Sequence, residues 1–101
     1  MIIFTRHPYV RDLIFHYANS LEDSRVLNIL ENGVTTEDEA IKFANFIWQM
    51  IDQMAIDCEN NTQVLGRTDN SDMMPDLDYE VSLYLSNQGF DDIWDKSCDE
   101  N

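Results

Sequence analysis

The chain has 101 residues, among them 20 Asp or Glu and 6 Lys or Arg, which give a formal net charge of -14 at pH 7. So large a negative charge argues against direct binding to nucleic acid or to an anionic membrane, because both would repel the protein. With 44% hydrophobic and 11% aromatic residues, the chain is too apolar for a disordered acidic segment, and its length suits a single acidic domain, residues 1–101.

The sequence shows no sign of membrane insertion, secretion or disulfide bonding. No apolar run approaches the length of a membrane-spanning helix or of the hydrophobic part of a signal peptide. The two cysteines, Cys58 and Cys98, are better explained as reduced thiols than as a disulfide. We therefore expect an intracellular, cytoplasmic protein.

The first third of the chain predicts a short strand and two helices. Residues 1–4 are β-prone and predict a short edge strand. Pro8 suits the first turn of a helix over about residues 8–19, in which apolar side chains recur at helical spacing. Ser20 followed by Asp23 marks the N-cap of a second helix, and Gly33 marks its end.

The third predicted helix has the strongest signals. Thr36 and Glu39 form a capping box for a helix that runs from residue 37 to about 58. Apolar side chains cover much more than one stripe of this helix, so it is either central to the fold or shared with a second subunit. The second alternative predicts a homodimer contact through Phe43, Phe46 and Trp48.

The C-terminal half predicts a small β element. Tyr79, Val81, Leu83 and Leu85 alternate with polar residues, which favours a half-buried strand over residues 76–86. Residues 62–67 would pair with it across a polar loop. The alternative is a helix that begins at Pro75. The predicted fold is therefore α+β and mainly helical, with three helices and an antiparallel β element; an all-α fold is the alternative. A short amphipathic helix is expected near Phe90 and Trp94.

The acids do not match known metal or catalytic patterns. Residues 57–61 and 76–80 imitate the opening of a calcium loop, but the sixth positions hold Thr62 and Val81 where glycine is needed, and the twelfth positions hold no acid. No zinc spacing, nucleophile elbow or phosphate-binding glycine loop occurs. We expect no enzyme activity, no cofactor and no metal.

The charge is distributed unevenly along the chain. Residues 1–50 hold 7 acids and 4 bases, whereas residues 51–101 hold 13 acids and 2 bases. Carboxylates lie about 6.6 Å apart along one strand face and about 6 Å apart at i and i+4 of a helix, spacings comparable to that of neighbouring DNA phosphates. The predicted partner-binding residues are the acids of this half: Asp52, Asp57, Glu59, Asp69, Asp72, Asp76, Asp78, Glu80, Asp91, Asp92 and Asp95, with Asp99 and Glu100 in the tail.

Two short stretches carry a resemblance to a known family. Met74-Pro75-Asp76 precedes an apolar segment, and Asp92-Ile93-Trp94-Asp95 follows it. In these stretches, and in its small size and acidity, the chain resembles phage-encoded DNA mimics of the Ocr-type antirestriction and anti-CRISPR kind. The resemblance implies a homodimeric decoy that occupies the DNA groove of a restriction, CRISPR or transcription protein. The antirestriction proteins are helical after Met-Pro-Asp, whereas the alternation here predicts a strand.

Three functions are consistent with these observations. The first is an acidic inhibitor that mimics DNA and blocks a basic DNA-binding protein of the host. The second is an acidic immunity protein or antitoxin that covers a basic toxin. The third is a small assembly subunit whose acidity is incidental.

Overall fold

Five α-helices account for most of the described chain. The computed structural model describes the backbone of residues 7–100 and the side chains of residues 7–97. The predicted edge strand at residues 1–4 lies outside this range. The elements are α1 (Pro8–Ser20), α2 (Ser24–Asn32), α3 (Glu37–Glu59), α4 (Met74–Asn87) and α5 (Asp91–Glu100), with a 3-10 turn at Ser71–Met73.

The predicted α+β fold is wrong, because residues 7–100 form no strand and no sheet. A single antiparallel bridge joins Val64 and Arg67. The two residues between them, Leu65 and Gly66, have φ angles of 53° and 80°, as in a type I′ turn. Residues 62–67 therefore form a bridge within their own turn and do not pair with residues 76–86 as predicted.

The segment predicted as a strand, residues 76–86, lies within α4. A strand would have placed Tyr79 and Leu83 on the same buried face as Val81. In the structure Tyr79 is 64% exposed and Leu83 is 43% exposed. The buried side chains instead follow spacings of three and four residues along a helix: Leu77, Val81, Tyr84 and Leu85.

Tyr84 explains why the helical pattern prevails over the alternating one. Its hydroxyl accepts a buried hydrogen bond of 2.8 Å from the backbone N–H of Val34. Its ring packs edge-on against Phe43 of α3, with 6.1 Å between the ring centroids. A strand would turn Tyr84 away from Val81 and Leu85. Pro75 stands in the first turn of α4, where its missing N–H costs no helical hydrogen bond.

The predicted ends of the first three helices are confirmed except at Ser20, which is the last residue of α1 and takes no part in the cap of α2. Asp23 caps α2 through a 3.1 Å hydrogen bond from the backbone N–H of Val26. Gly33 ends α2 with a φ of 85°, a conformation that favours glycine. The capping box of Thr36 and Glu39 is present at the start of α3.

Apolar side chains cover most sides of α3 because this helix lies at the centre of the fold. The hairpin of α1 and α2 packs against α3, and α5 packs against both α3 and α4. Phe43 and Phe46 are 1% and 2% exposed, buried by the chain's own helices. Trp48 is half-buried, and its ring stacks on that of Trp94 in α5. These three residues are therefore used inside the single chain.

We expect Thr36→Ala to lower the free energy of unfolding by about 1 kcal/mol, because it removes the side-chain acceptor of the cap. The lost bond is the one of 3.2 Å from the backbone N–H of Glu39 to the Thr36 hydroxyl. Urea denaturation followed by circular dichroism measures the change. Thr68→Ala, in an exposed loop, is the matched control. Equal stabilities of the two variants would contradict the role of the cap.

Candidate protein-binding surface

Asp99 and Glu100 lie outside the described side chains, and the other acids of the C-terminal half fall into three structural groups. The largest belongs to the α4–α5 hairpin, where residues 74–97 hold six acids and one base, Lys96. We call the outer surface of these two helices the α4–α5 acidic face. Its acids are Asp76, Asp78, Glu80, Asp91, Asp92 and Asp95. The other two groups lie in the second half of α3 and in the loop between α3 and α4.

On α4 the acids flank the exposed side of the helix. Asp76 and Glu80 are one turn apart and share one flank, about 6 Å from each other by helical spacing. Asp76 also lies 3.9 Å from the Nε2 atom of His7. Asp78 lies on the other flank, because each residue turns the helix by about 100°. The straight row of three acids predicted from a strand is therefore divided between two flanks.

Asp78 connects α4 to α5. Its carboxylate accepts a 3.1 Å hydrogen bond from the Trp94 indole N–H. Trp94 is 2% exposed and stacks on Trp48 of α3, with ring centroids 5.5 Å apart and planes 11° from parallel. This contact fixes α5 against both neighbouring helices.

None of the described acids of α5 lines the cleft between α5 and α3. Ile93 and Lys96 line a cleft of about 190 Å³ with residues of α3, so that side of α5 faces α3. Asp91 and Asp95 are one turn apart on the helix, and Asp92 precedes Lys96 by one turn. All three acids are exposed, and none forms an ion pair with a side chain of residues 7–97.

The acids of α3 occupy different sides of that helix. Asp52 is exposed and stands one turn after Trp48, on the side that packs against α5. Glu59 is exposed in the last position of α3. Asp57 is half-buried against α1, where it accepts a 2.7 Å hydrogen bond from Tyr17 and a 3.0 Å bond from Gln53.

The hydrogen bond to Asp57 adds to the effect of burial on the pKa of Tyr17. Burial, and then this bond to a carboxylate, raise the pKa of Tyr17 well above its ordinary value. Asp57 therefore joins α1 to α3, a structural role that differs from that of the exposed acids on α5.

The two loop acids are held by local hydrogen bonds. Both carboxylate oxygens of Asp72 accept from the Arg67 guanidinium, at 2.9 and 2.8 Å. Asp69 accepts from the backbone N–H of Ser71 at 2.8 Å and from its hydroxyl at 2.6 Å. The pKa of Asp69 is lowered mainly by the hydrogen bond from the Ser71 hydroxyl. The pKa of the Cys58 thiol is raised, mainly by a hydrogen bond with Asp69.

Ser71→Ala is expected to raise the pKa of Asp69 toward the ordinary aspartate value, because it removes a donor to the charged form. A lowered pKa in the folded state stabilises the fold at pH values above the ordinary one, and this stabilisation is lost as the pH falls through the folded-state pKa. Carboxyl-carbon NMR titration of Asp69 measures the change, with Ser86→Ala as the control. An unchanged titration in Ser71→Ala would contradict the assigned cause.

The structure also shows a feature that the acidic pattern did not predict. Tyr79 and Leu83 stand one turn apart on the outer side of α4, between its two acidic flanks. The alternating pattern had assigned both to a buried strand face. Testing helical spacing from Pro75 onward would have identified them, because that spacing leaves both outside the buried stripe.

The described residues form neither a metal-binding cluster nor a membrane-spanning helix. In the side chains of residues 7–97, no three His, Cys, Asp or Glu residues are grouped so as to hold a metal ion. No helix within residues 7–100 is both long and apolar enough to cross a membrane. Cys58 is a free thiol, and the side chain of Cys98 lies outside the described residues.

Comparisons with protein-family models, curated proteins and solved structures found no match to this chain.

Proposed function

We propose that this protein is an acidic inhibitor that mimics DNA and blocks the basic DNA-binding surface of a host enzyme of restriction, CRISPR defence or transcription. The observation that carries the proposal is the α4–α5 acidic face. Its two helices hold six acids and one base within residues 74–97, and α5 presents three exposed carboxylates without ion pairs to the described side chains.

The spacing of these carboxylates supports the comparison with DNA. Asp91 and Asp95 are one helical turn apart, as are Asp76 and Glu80, at about 6 Å in each pair. DNA carries one phosphate per about 3.4 Å of axis on each strand, and the winding of the strand lengthens the distance through space. A basic groove shaped for phosphates therefore meets a similar arrangement of negative charge on this face.

The helical state of α4 also supports the proposal. The antirestriction proteins that the chain resembles are helical after Met-Pro-Asp, and here Met74–Asn87 is an α-helix. The strand that the alternating pattern predicted, which would have set this chain apart from those proteins, is not formed. Such an inhibitor would act in the cytoplasm of the host cell, where DNA-processing enzymes work, and its own negative charge would keep it from binding DNA itself.

An immunity protein or antitoxin against a basic toxin is the second candidate. The exposed pair Tyr79 and Leu83 favours it, because inhibitors of this kind depend on a few anchoring side chains at the centre of the interface. An assembly subunit that binds through the apolar side of α3 is not proposed. Phe43 and Phe46, which would form that interface, are buried inside the chain.

Affinity capture at two salt concentrations tests the proposed function. The protein is immobilised, exposed to host lysate at low salt and eluted at high salt, where the Debye length falls from about 10 Å at 0.1 M to about 3 Å at 1 M. Mass spectrometry of the eluate should identify a DNA-binding enzyme with a basic groove. The purified enzyme should then lose activity when the protein is added. Captured proteins that bind no DNA, or an unaffected enzyme, would refute the proposal.

A further inference from the structure

The outer side of α4 combines an exposed apolar stripe with a row of acids. Pro75, Tyr79 and Leu83 follow one another at intervals of four residues, and all three are exposed. Tyr79, at 64%, is the most exposed large hydrophobic side chain among the described residues. Leu83 is 43% exposed as well, so the described helices leave this side of α4 largely uncovered.

The acids of α4 lie beside this stripe. Asp76 precedes Tyr79 by three residues and Glu80 precedes Leu83 by three, so each acid neighbours one member of the stripe on the helix surface. Asp78 lies on the opposite flank, where one of its oxygens already accepts from Trp94. An occupant of this surface therefore meets an aromatic ring and a carboxylate side by side, in a strongly negative field.

We propose that the outer side of α4 binds an arginine side chain of a basic protein partner, with the guanidinium stacked on the Tyr79 ring and paired with the Asp76 carboxylate. This rests on the proposed function, since the partner is the basic protein inferred above. A guanidinium is planar, stacks on aromatic faces and donates two parallel hydrogen bonds to a carboxylate. Charge complementarity selects a cation, and the ring beside the carboxylate selects arginine over lysine.

The selection has a structural basis. A lysine ammonium is a compact, strongly hydrated charge that gains less from stacking on a ring. DNA-binding surfaces are rich in arginine because the guanidinium also matches phosphate geometry. A decoy with an aromatic anchor beside its carboxylates therefore offers such an arginine a contact that phosphate alone does not.

The test uses the full chain and two peptides, one alternating glycine with arginine and one alternating glycine with lysine. Isothermal titration calorimetry at low salt gives both affinities, and NMR locates the contact at the Tyr79 ring. The arginine peptide is expected to bind about threefold more tightly, in line with an exposed cation–π contact. Tyr79→Ala should abolish the preference and Tyr79→Phe should keep it. Leu21→Ala, an exposed apolar residue at the end of α1, should leave it unchanged.

Equal binding of the two peptides by the unmodified protein would overturn the inference, as would a preference that persists in Tyr79→Ala. Circular dichroism of each variant shows that the helices are retained, which is expected because Tyr79 is exposed. This test and the test of the proposed function can fail independently of each other. An arginine preference in a protein that does not compete with DNA would refute the DNA-mimic function and leave this contact standing.

Discussion

Replacing Asp91, Asp92 and Asp95 with asparagine is expected to weaken binding to the target about tenfold to a hundredfold at low salt. Each exposed charge contributes up to about 1 kcal/mol to a pairwise interaction, and tenfold corresponds to about 1.4 kcal/mol. The difference from the unmodified protein should shrink as salt is added, because exposed charges are screened. Surface plasmon resonance across a salt series measures both effects.

The matched control changes the same amount of charge on a different pair of helices. Asp12, Glu22 and Glu31 are exposed in and between α1 and α2, whereas α5 packs mainly against α3 and α4. Converting them to amides alters the net charge by the same three units. Only the α5 variant should lose affinity strongly. If both variants weaken binding equally, the partner responds to total charge, and the α4–α5 acidic face has no special role.

Trp94→Ala is expected to cost about 3–5 kcal/mol of folding free energy, the usual range for removing a buried aromatic side chain. The change removes the stack on Trp48 and the hydrogen bond to Asp78. Because domains of this size are stable by only about 5–15 kcal/mol, the variant should melt at a much lower temperature and lose the packing of α5. Calorimetry and near-ultraviolet circular dichroism measure these effects.

Two further variants make the Trp94 result interpretable. Trp94→Phe keeps an aromatic ring but no N–H, so its stability should lie between those of the unmodified protein and Trp94→Ala. Tyr79→Ala removes an exposed ring from the neighbouring helix and should change the free energy of unfolding by no more than about 0.5 kcal/mol. A Trp94→Ala protein as stable as Tyr79→Ala would contradict the central place of Trp94 in the packing.

The N-terminal half could be predicted from local signals. The starts and ends of its helices depend on residues that act within one helical turn, so they can be recognised from neighbouring residues alone. These residues are Pro8, Asp23, Gly33 and the capping box of Thr36 and Glu39. The breadth of apolar residues on α3 left two alternatives open, a central helix and a dimer contact. Only the packing of the α1–α2 and α4–α5 hairpins around α3 shows that Phe43 and Phe46 are covered within the chain.

The C-terminal half could not be predicted from periodicity alone. Tyr79, Val81, Leu83 and Leu85 fit a strand, while Leu77, Val81 and Leu85 fit a helix, and both patterns share two residues. The choice depends on Tyr84 and its contacts with Val34 and Phe43, which are distant in sequence.

The candidate surface could likewise be predicted only in part from the sequence. The excess of acids after residue 50 was evident from composition. The sequence did not distinguish acids that are hydrogen-bonded inside the chain, such as Asp57 and Asp72, from acids without an ion pair to the described side chains, such as Asp91 and Asp95. For Asp57 the distinction depends on Tyr17, which is distant in sequence. For Asp72 it depends on the local loop conformation that brings the Arg67 guanidinium to its carboxylate.

The most direct measurement is competition between this protein and DNA for the captured enzyme. Fluorescence anisotropy of a labelled DNA duplex is followed at increasing concentrations of the protein. If the α4–α5 acidic face occupies the DNA groove, the apparent Kd of DNA should rise linearly with the concentration of the protein, and the Asp91, Asp92 and Asp95 variant should shift it far less. An enzyme that binds DNA with unchanged affinity while saturated with the protein would contradict the account.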